Sequence, residues 1–464
     1  MTISEQLSRE TRELTFDTLP DVVVHESKRR LLDTLACGIA GFDSPPSRAL
    51  QALFKETGGP AEATLYGSGF RTSAMNAALA NGVMVRFSEA MDLSLESANG
   101  VTFHGHPGEV IPSILAVGER QHSSGKDIIT AIVLGYQLLN RLSYAMGGGR
   151  AIEHNGWKNE IRAGLIVPLV VGKLMGLTEQ QLVNAVGISG CFSSGLGLLD
   201  HGSEEVTMSR DLRFPHHAYQ AILAALMAQK GFEGPSRVYE GHNGFNEVIS
   251  RGKIDLALLS QSDGEFNILY TWTKAYPVNI RLLGLTEILR GMVRDHHLTP
   301  ERVARIRIRT TQRVLEGMGN PGTHRYPQTK QTADQSAYYV AALVIADGTV
   351  RLGLDQFTAE RMRDPKLRAV IDKIELIAVP EWKTDDAPTE VEITTVDGAT
   401  HSGRVDHPKG HVRNPMTDHE LRDKFRGMAS RLMDEAKIKK VFAAIDGLEE
   451  LKDISKLTST LVVA

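Results

Sequence analysis

Residues Val22–Ala40 read VVVHESKRRLLDTLACGIA, and their apolar positions decide the fold class. Val24, Leu31, Leu32, Leu35, Ala36 and Ile39 recur at spacings of three and four, with Lys28, Arg29 and Arg30 between them, the period of an amphipathic helix. The pattern repeats downstream. Thr72–Phe87 is rich in Ala, Met and Val, and Glu109–Gln121 and Gly125–Met146 follow, the second apolar over much of its surface. Thr178 with Gln181 forms a capping box before Leu182–Ile188, and Ala218–Lys230 stops at Gly231, as a C′ glycine would. Helices this apolar pack against other helices or a second subunit.

From about Glu265 the pattern changes. Arg302–Arg309 reads RVARIRIR, and from Arg305 onward it alternates as a half-buried strand does. Ile374–Val379 and Glu390–Val396 are β-like, and Asp397-Gly398 signals a hairpin with His401–Val405 as the return strand. Helices at about Val278–Arg294 and Thr332–Ala346 complete an α+β unit. Thr417 and Glu420 form another capping box, and Leu421–Leu448 reads as helix to near the end. The expected architecture is mainly α: a large all-helical body over 1–265 and 409–464, with a smaller α+β domain over 266–408 inserted before the C-terminal helices.

Composition narrows the function. Of 464 residues, 42% are hydrophobic and 23% charged, enough for a large core. The 52 basic and 56 acidic residues give a net charge of −4, which excludes the basic footprint of a nucleic-acid binder. No run approaches the ~20 apolar residues of a membrane span. The N-terminus, MTISEQLSRE, lacks the apolar stretch of a signal peptide, so a cytoplasmic protein is expected. Cys37 and Cys191, the only cysteines, cannot build a disulfide framework, a four-cysteine zinc site or a cysteine-ligated iron–sulfur cluster.

Polar groups with chemical potential are scattered. Asp92 follows the helix ending near Phe87, and Thr102-Phe103-His104-Gly105-His106-Pro107-Gly108 comes soon after. Two imidazoles two residues apart serve as general acid/base or carboxylate-binding groups, or merely as a solvated, turn-stabilising pair. No HExxH or third-ligand spacing accompanies them, so no metal site is expected. Lys274, in Trp272-Thr273-Lys274-Ala275-Tyr276-Pro277, is either a partly desolvated cation for a carboxylate or a surface lysine with a snorkelling stem. Thr332 is read as the cap of the helix that follows it, with Asp334 in its first turn. Met146–Gly149, MGGG, lacks phosphate-cradle spacing, and His201, His216 and His217 read as structural. These residues fit cofactor-free proton chemistry on an anionic substrate.

The order of segments resembles the MmgE/PrpD family, whose members include 2-methylcitrate dehydratases, cis-aconitate decarboxylases and iminodisuccinate epimerases. The resemblance runs through LLDTLACGIAG (Leu31–Gly41), NAALANGVMVRFSEAMD (Asn76–Asp92), HPGEVIPSILA (His106–Ala116), GKLMGLTEQQL (Gly172–Leu182), LMAQKGFEGP (Leu226–Pro235), TKAYP (Thr273–Pro277), TADQSAYYVAALVIADG (Thr332–Gly348) and PKGHVRNPMT (Pro408–Thr417). It implies a helical body with a smaller lid, a homodimer, and a site in the cleft between body and lid. Asp92, His106 and Lys274 fall on the family's acidic, histidine and lysine site positions. Asn159, in Gly156-Trp157-Lys158-Asn159, stands where many members carry a histidine, Arg210 where many carry a lysine, and Gln335 where TADHS is common. Asn cannot shuttle a proton at neutral pH and Arg cannot act as a base, so a substrate or reaction other than that of the best-known members is an expectation of the resemblance.

The reading that follows is a metal-independent, cofactor-free lyase of the dehydratase type, acting on a small di- or tricarboxylate by proton abstraction α to a carboxylate. His106, Lys274 and Asp92 are the catalytic candidates, and His104, Arg210, Lys158, Asn159 and Tyr276 the substrate-binding ones. Decarboxylation or epimerisation of a related acid is the alternative, and a non-catalytic binding or scaffold protein the second. A homodimer is expected, because Gly125–Met146 is too apolar for a lone surface.

Overall fold

The computed structural model describes residues 1–464 apart from 97–101, 201–204, 261–263, 383–387 and 464; the side chains of 96, 102–104, 150 and 200 also lie outside the described part. The chain forms two compact units. The first comprises Met1–Leu199, Asp211–Thr271 and Leu421–Ala464, the second Asp200–Arg210 with Trp272–Glu420. Sequence patterning placed the insertion at 266–408. The second unit starts later, at Trp272, and ends further on, at Glu420, where the Thr273 N–H donates to the Gly410 carbonyl at 2.9 Å. It also takes in Asp200–Arg210, held by the Val206 N–H on Thr332 Oγ1 at 3.2 Å and by Arg210 on Asp334.

In the first unit Ala74–Phe87 is a central helix, packed on Asp21–Ala40, Ile111–Gln121 and Arg213–Gln229. The Leu31–Gly41 segment ends in glycine for a steric reason. A Cβ on Gly41 would stand 2.1 Å from the Met84 carbonyl oxygen, so only glycine lets the two helices come this close. The capping box at Thr178 and Gln181 closes as expected, and Gly231 follows Arg213–Gln229 at φ 90°. That helix starts five residues before the expected Ala218, with Pro215 tolerated in its first turn. The expected Leu421–Leu448 helix is broken into Asp418–Ala429 and Glu435–Asp446, because Asp434 accepts the Lys437 N–H at 2.8 Å and starts a new helix.

The helix Gly125–Ala145 corrects one argument. Its apolar surface is consumed within the unit, against Ala163–Leu174, Ile111–Gln121 and the strand Thr102–Gly105, and Ile128, Ile132, Leu138 and Leu142 are fully buried. It needs no second subunit to cover it.

The second unit holds a four-stranded sheet. Val303–Thr310 lies between Ile374–Ala378, parallel to it, and Thr389–Thr395, antiparallel, with Thr400–Val405 outermost. Ile306 sits opposite both Ile374 and Ile393. On the inner face Val303, Ile306, Ile308, Val391 and Ile393 are buried, and Leu283–His296 packs on the sheet and on Ala337–Asp347. On the outer face the arginines of RVARIRIR pair across strands: Arg305 with Glu375, Arg307 with Glu392 at 3.2 Å and Arg309 with Glu390 at 3.3 Å. The expected Thr332–Ala346 helix is interrupted. Thr329, not Thr332, caps the short Lys330–Ala333 helix, and Ser336 caps Ala337–Asp347 by accepting the Tyr339 N–H. No helix among the described residues is long and apolar enough to cross a membrane.

Candidate active site

Asp92 and His106 meet in the first unit, in a loop region fixed from several sides. After the Ala74–Phe87 helix the chain turns through Glu89 at φ 54°, and Lys424 Nζ donates to the Ala90 carbonyl at 2.7 Å. Asp92 then reaches into the protein. Its Oδ1 accepts the Gly108 N–H at 3.1 Å and its Oδ2 accepts the Tyr136 hydroxyl. The HPG motif needs its glycine here, since a Cβ at 108 would stand 2.6 Å from Asp92 Oδ1. His106 Nδ1 lies 2.8 Å from the Asp92 carbonyl oxygen. A carbonyl only accepts, so Nδ1 carries a proton, and proton exchange with a substrate falls to Nε2.

The electrostatics follow from burial. Asp92 is 1% exposed, and desolvation pushes its carboxyl up to about 6 against the pull of Arg30 and the Tyr136 hydrogen bond. Burial and the Asp92 charge push the Tyr136 hydroxyl far above its ordinary value, so it stays a donor. Arg30 is anchored by Glu26 and donates to the Thr271 carbonyl at 2.6 Å. Beneath it Asp33 pairs with Lys424 at 2.6 Å, both about fully buried. Because folding favours the protonated Asp92, that group's contribution to stability is complete below its ordinary pKa near 4 and is lost as pH rises through about 6. Asp92→Asn is therefore expected to gain stability relative to the parent as pH goes from 4 to 7. Thermal unfolding across that range checks it, and a parallel pair of stability–pH curves would contradict it.

Other sequence candidates have partners of their own. Lys158 is ion-paired with Glu153 at 3.7 Å. Asn159 is buried against Gly149, whose φ of 87° and missing Cβ leave room for the amide. The His104 side chain lies outside the described residues. In the second unit Lys274 is 1% exposed and therefore not a surface lysine. Its neighbour Thr273 is gripped by Gly410, at which any Cβ would stand 1.7 Å from the Thr273 carbonyl oxygen. The TKAYP and PKGHVRNPMT segments are thus two sides of one contact. His411, which sequence reasoning passed over, packs its ring 4.0 Å from that of Trp272 and accepts the Arg413 N–H on Nδ1 at 2.9 Å. Burial, with His407 and Arg413 nearby, pushes it down to about 4. Tyr276 accepts from Arg290 at 3.0 Å. Arg210 is buried and bonded to Asp334 at 3.4 Å, and Asp334 also takes Lys330 at 2.6 Å. Arg210 is therefore a charge shared with a structural carboxylate. His217 is buried and pushed down to about 4, in keeping with its reading as structural. Tyr136, Arg30 and Lys424 were missed as well; they sit far from Asp92 in sequence, and no local motif marks them.

The MmgE/PrpD N-terminal domain model matches residues 5–257 and the MmgE/PrpD C-terminal domain model residues 276–448. A cis-aconitate decarboxylase of Mus musculus is 24% identical over 492 residues, covering 99% of this chain and 93% of that protein. A mitochondrial 2-methylcitrate dehydratase of Yarrowia lipolytica is 24% identical over 457 residues, covering 91% and 83%. The 2-methylcitrate dehydratase of Escherichia coli is 22% identical over 423 residues, covering 85% and 84%. With both domain models matched in order along almost the whole chain, this protein belongs to the MmgE/PrpD family.

Proposed function

We propose that the protein is a lyase acting on a small tricarboxylate, moving a proton at the carbon α to a carboxylate without a metal ion. The observation that carries this reading is the His106 ring, its Nδ1 tied to the Asp92 carbonyl while Asp92 itself is buried against Tyr136. That arrangement sets Nε2 as the atom that takes or returns a proton. Lys274 supplies positive charge for the enolate-like intermediate. In a decarboxylation His106 first takes a proton from solvent on Nε2; the bond to the departing carboxylate then breaks, carbon dioxide leaves, the electron pair spreads into the remaining acid, and His106 gives that proton to carbon. In a dehydration Nε2 takes the α proton, the β hydroxyl leaves as water with a proton from solvent, and Nε2 then releases its own proton to solvent.

Decarboxylation is the first reading, because the decarboxylase relative aligns with more of this chain than either dehydratase. Dehydration, favoured by the sequence alone, is the second. The test is product analysis against cis-aconitate, 2-methylcitrate and iminodisuccinate. Release of carbon dioxide from cis-aconitate is expected. Water loss from 2-methylcitrate supports the second reading, and no turnover on any acid overturns both and favours a binding protein.

An aconitase-type cluster needs three thiolates, and the chain has only Cys37, buried with its thiol pushed up to about 12, and Cys191. Exhaustive chelation is accordingly part of the same assay and should leave turnover unchanged. A homodimer remains the proposed assembly, now supported by the exposed Phe192, Leu196 and Leu198 of the first unit, and the cytoplasm the proposed location.

A further inference from the structure

The helix Gly125–Ala145 carries Tyr136, Asn140 and Ser143 at spacings of four and three, on one stripe. Tyr136 is engaged by Asp92. The other two are not engaged at all. Asn140 is 2% exposed, and neither its amide nitrogen nor its oxygen has a hydrogen-bond partner. Ser143 is fully buried with its hydroxyl unpartnered. That hydroxyl lies 3.1 Å from where a Cβ on Gly105 would stand, and Arg162 Nη2 lies 3.2 Å from the same point. Gly105 immediately precedes His106.

Arg162 is the unusual member. It is 1% exposed, its Nε has no partner, and among the described residues no carboxylate comes within ion-pair distance of it. The acids that act on it most strongly are each held elsewhere by one oxygen, Glu160 by Arg213 and Glu109 by Arg86, both at 3.3 Å, and the second oxygen of each has no partner. Desolvation holds the Arg162 pKa below its ordinary value, so folding works against this charge. A buried arginine Nε, amide and hydroxyl without partners are each costly and persist where something else satisfies them.

We propose that Arg162, Asn140 and Ser143 form a carboxylate-binding subsite beside His106, holding a carboxylate of the substrate that does not react. The proposal deepens the lyase reading above and rests on it for the identity of the acid. A guanidinium offers a planar pair of donors that matches a carboxylate, and the Asn140 amide and Ser143 hydroxyl add neutral donors that leave the subsite's net charge positive.

Isothermal titration of the full chain with tricarballylate tests it. This saturated tricarboxylate has neither the double bond nor the hydroxyl that turnover needs. The parent should bind it. Arg162→Met and Asn140→Leu should each weaken binding by at least ~30-fold, the low end for truncating one partner of a buried charged contact, and Arg162→Lys should recover part of it. The ligand-free Arg162→Met protein should melt no lower than the parent. Absent binding by the parent, undiminished binding by Arg162→Met, or a marked fall in its melting temperature would overturn the subsite. Arg162-dependent binding without turnover of cis-aconitate would support the subsite and overturn the lyase reading alone.

Discussion

His106→Ala and Lys274→Ala should each lower kcat by at least ~100-fold, the low end for removing a general acid/base or an electrostatic stabiliser, while unfolding midpoints change little. For His106 the competing account is that the ring merely props the Pro107-Gly108 turn. The turn has other supports. The Glu109 N–H bonds to the His106 backbone carbonyl, and Asp92 Oδ1 holds the Gly108 N–H; both survive loss of the imidazole. A structural ring therefore predicts lost stability with normal turnover per folded molecule, and a catalytic ring predicts the reverse. Lys274 is buried, so its truncation also removes packing. Lys274→Met separates the two effects, keeping the stem and removing the charge. Near-normal kcat in folded His106→Ala or Lys274→Met would sink the assignment.

The largest expected loss of stability is at Lys424. Its Nζ bonds both Asp33 Oδ1 and the Ala90 carbonyl, and its side chain is 1% exposed. Removing one partner of such a pair leaves an uncompensated buried charge, which typically costs ~3–5 kcal/mol. Lys424→Ala should therefore be destabilised by about that much in chemical denaturation. Lys424→Met combined with Asp33→Asn should recover most of the loss, because the charge to be neutralised is gone too. The double variant should still turn over poorly, since the Ala90 carbonyl that sets the entry to Asp92 has lost its donor. Equal destabilisation of the single and double variants would mean that packing, not charge, is what Lys424 supplies.

Local periodicity made most elements of both units readable. The three-and-four spacing of Val22–Ala40 and the arginine alternation of 302–309 each report one buried face, and both elements formed as expected. Breaks inside helical patterns were less legible. Asp434 and Ser336 interrupt otherwise helical stretches through capping bonds whose strength depends on where the chain turns afterwards. Of the candidate site, the motif pointed to Asp92 and His106, which the structure brings into contact. The groups around them, Tyr136, Arg30 and Lys424, are ordinary residues in their own helices and acquire meaning only through contacts over 44 to 391 positions. Gly108 is the exception in reverse, since its motif position is explained by the 2.6 Å that separates a hypothetical Cβ from the Asp92 carboxylate.

The first unit is completed by Leu421–Ala464, and Lys424 from that segment secures the Ala90–Asp92 turn. During synthesis the ribosome adds ~5–20 residues per second, so Asp33 and Asp92 emerge well before their cationic neighbour exists. Until then Asp33 lacks the cation that pairs with it in the folded unit. The nascent N-terminal helices should consequently be a client for holding chaperones, and a stalled chain lacking the last stretch should be cleared by proteolysis rather than accumulate as a half-active product.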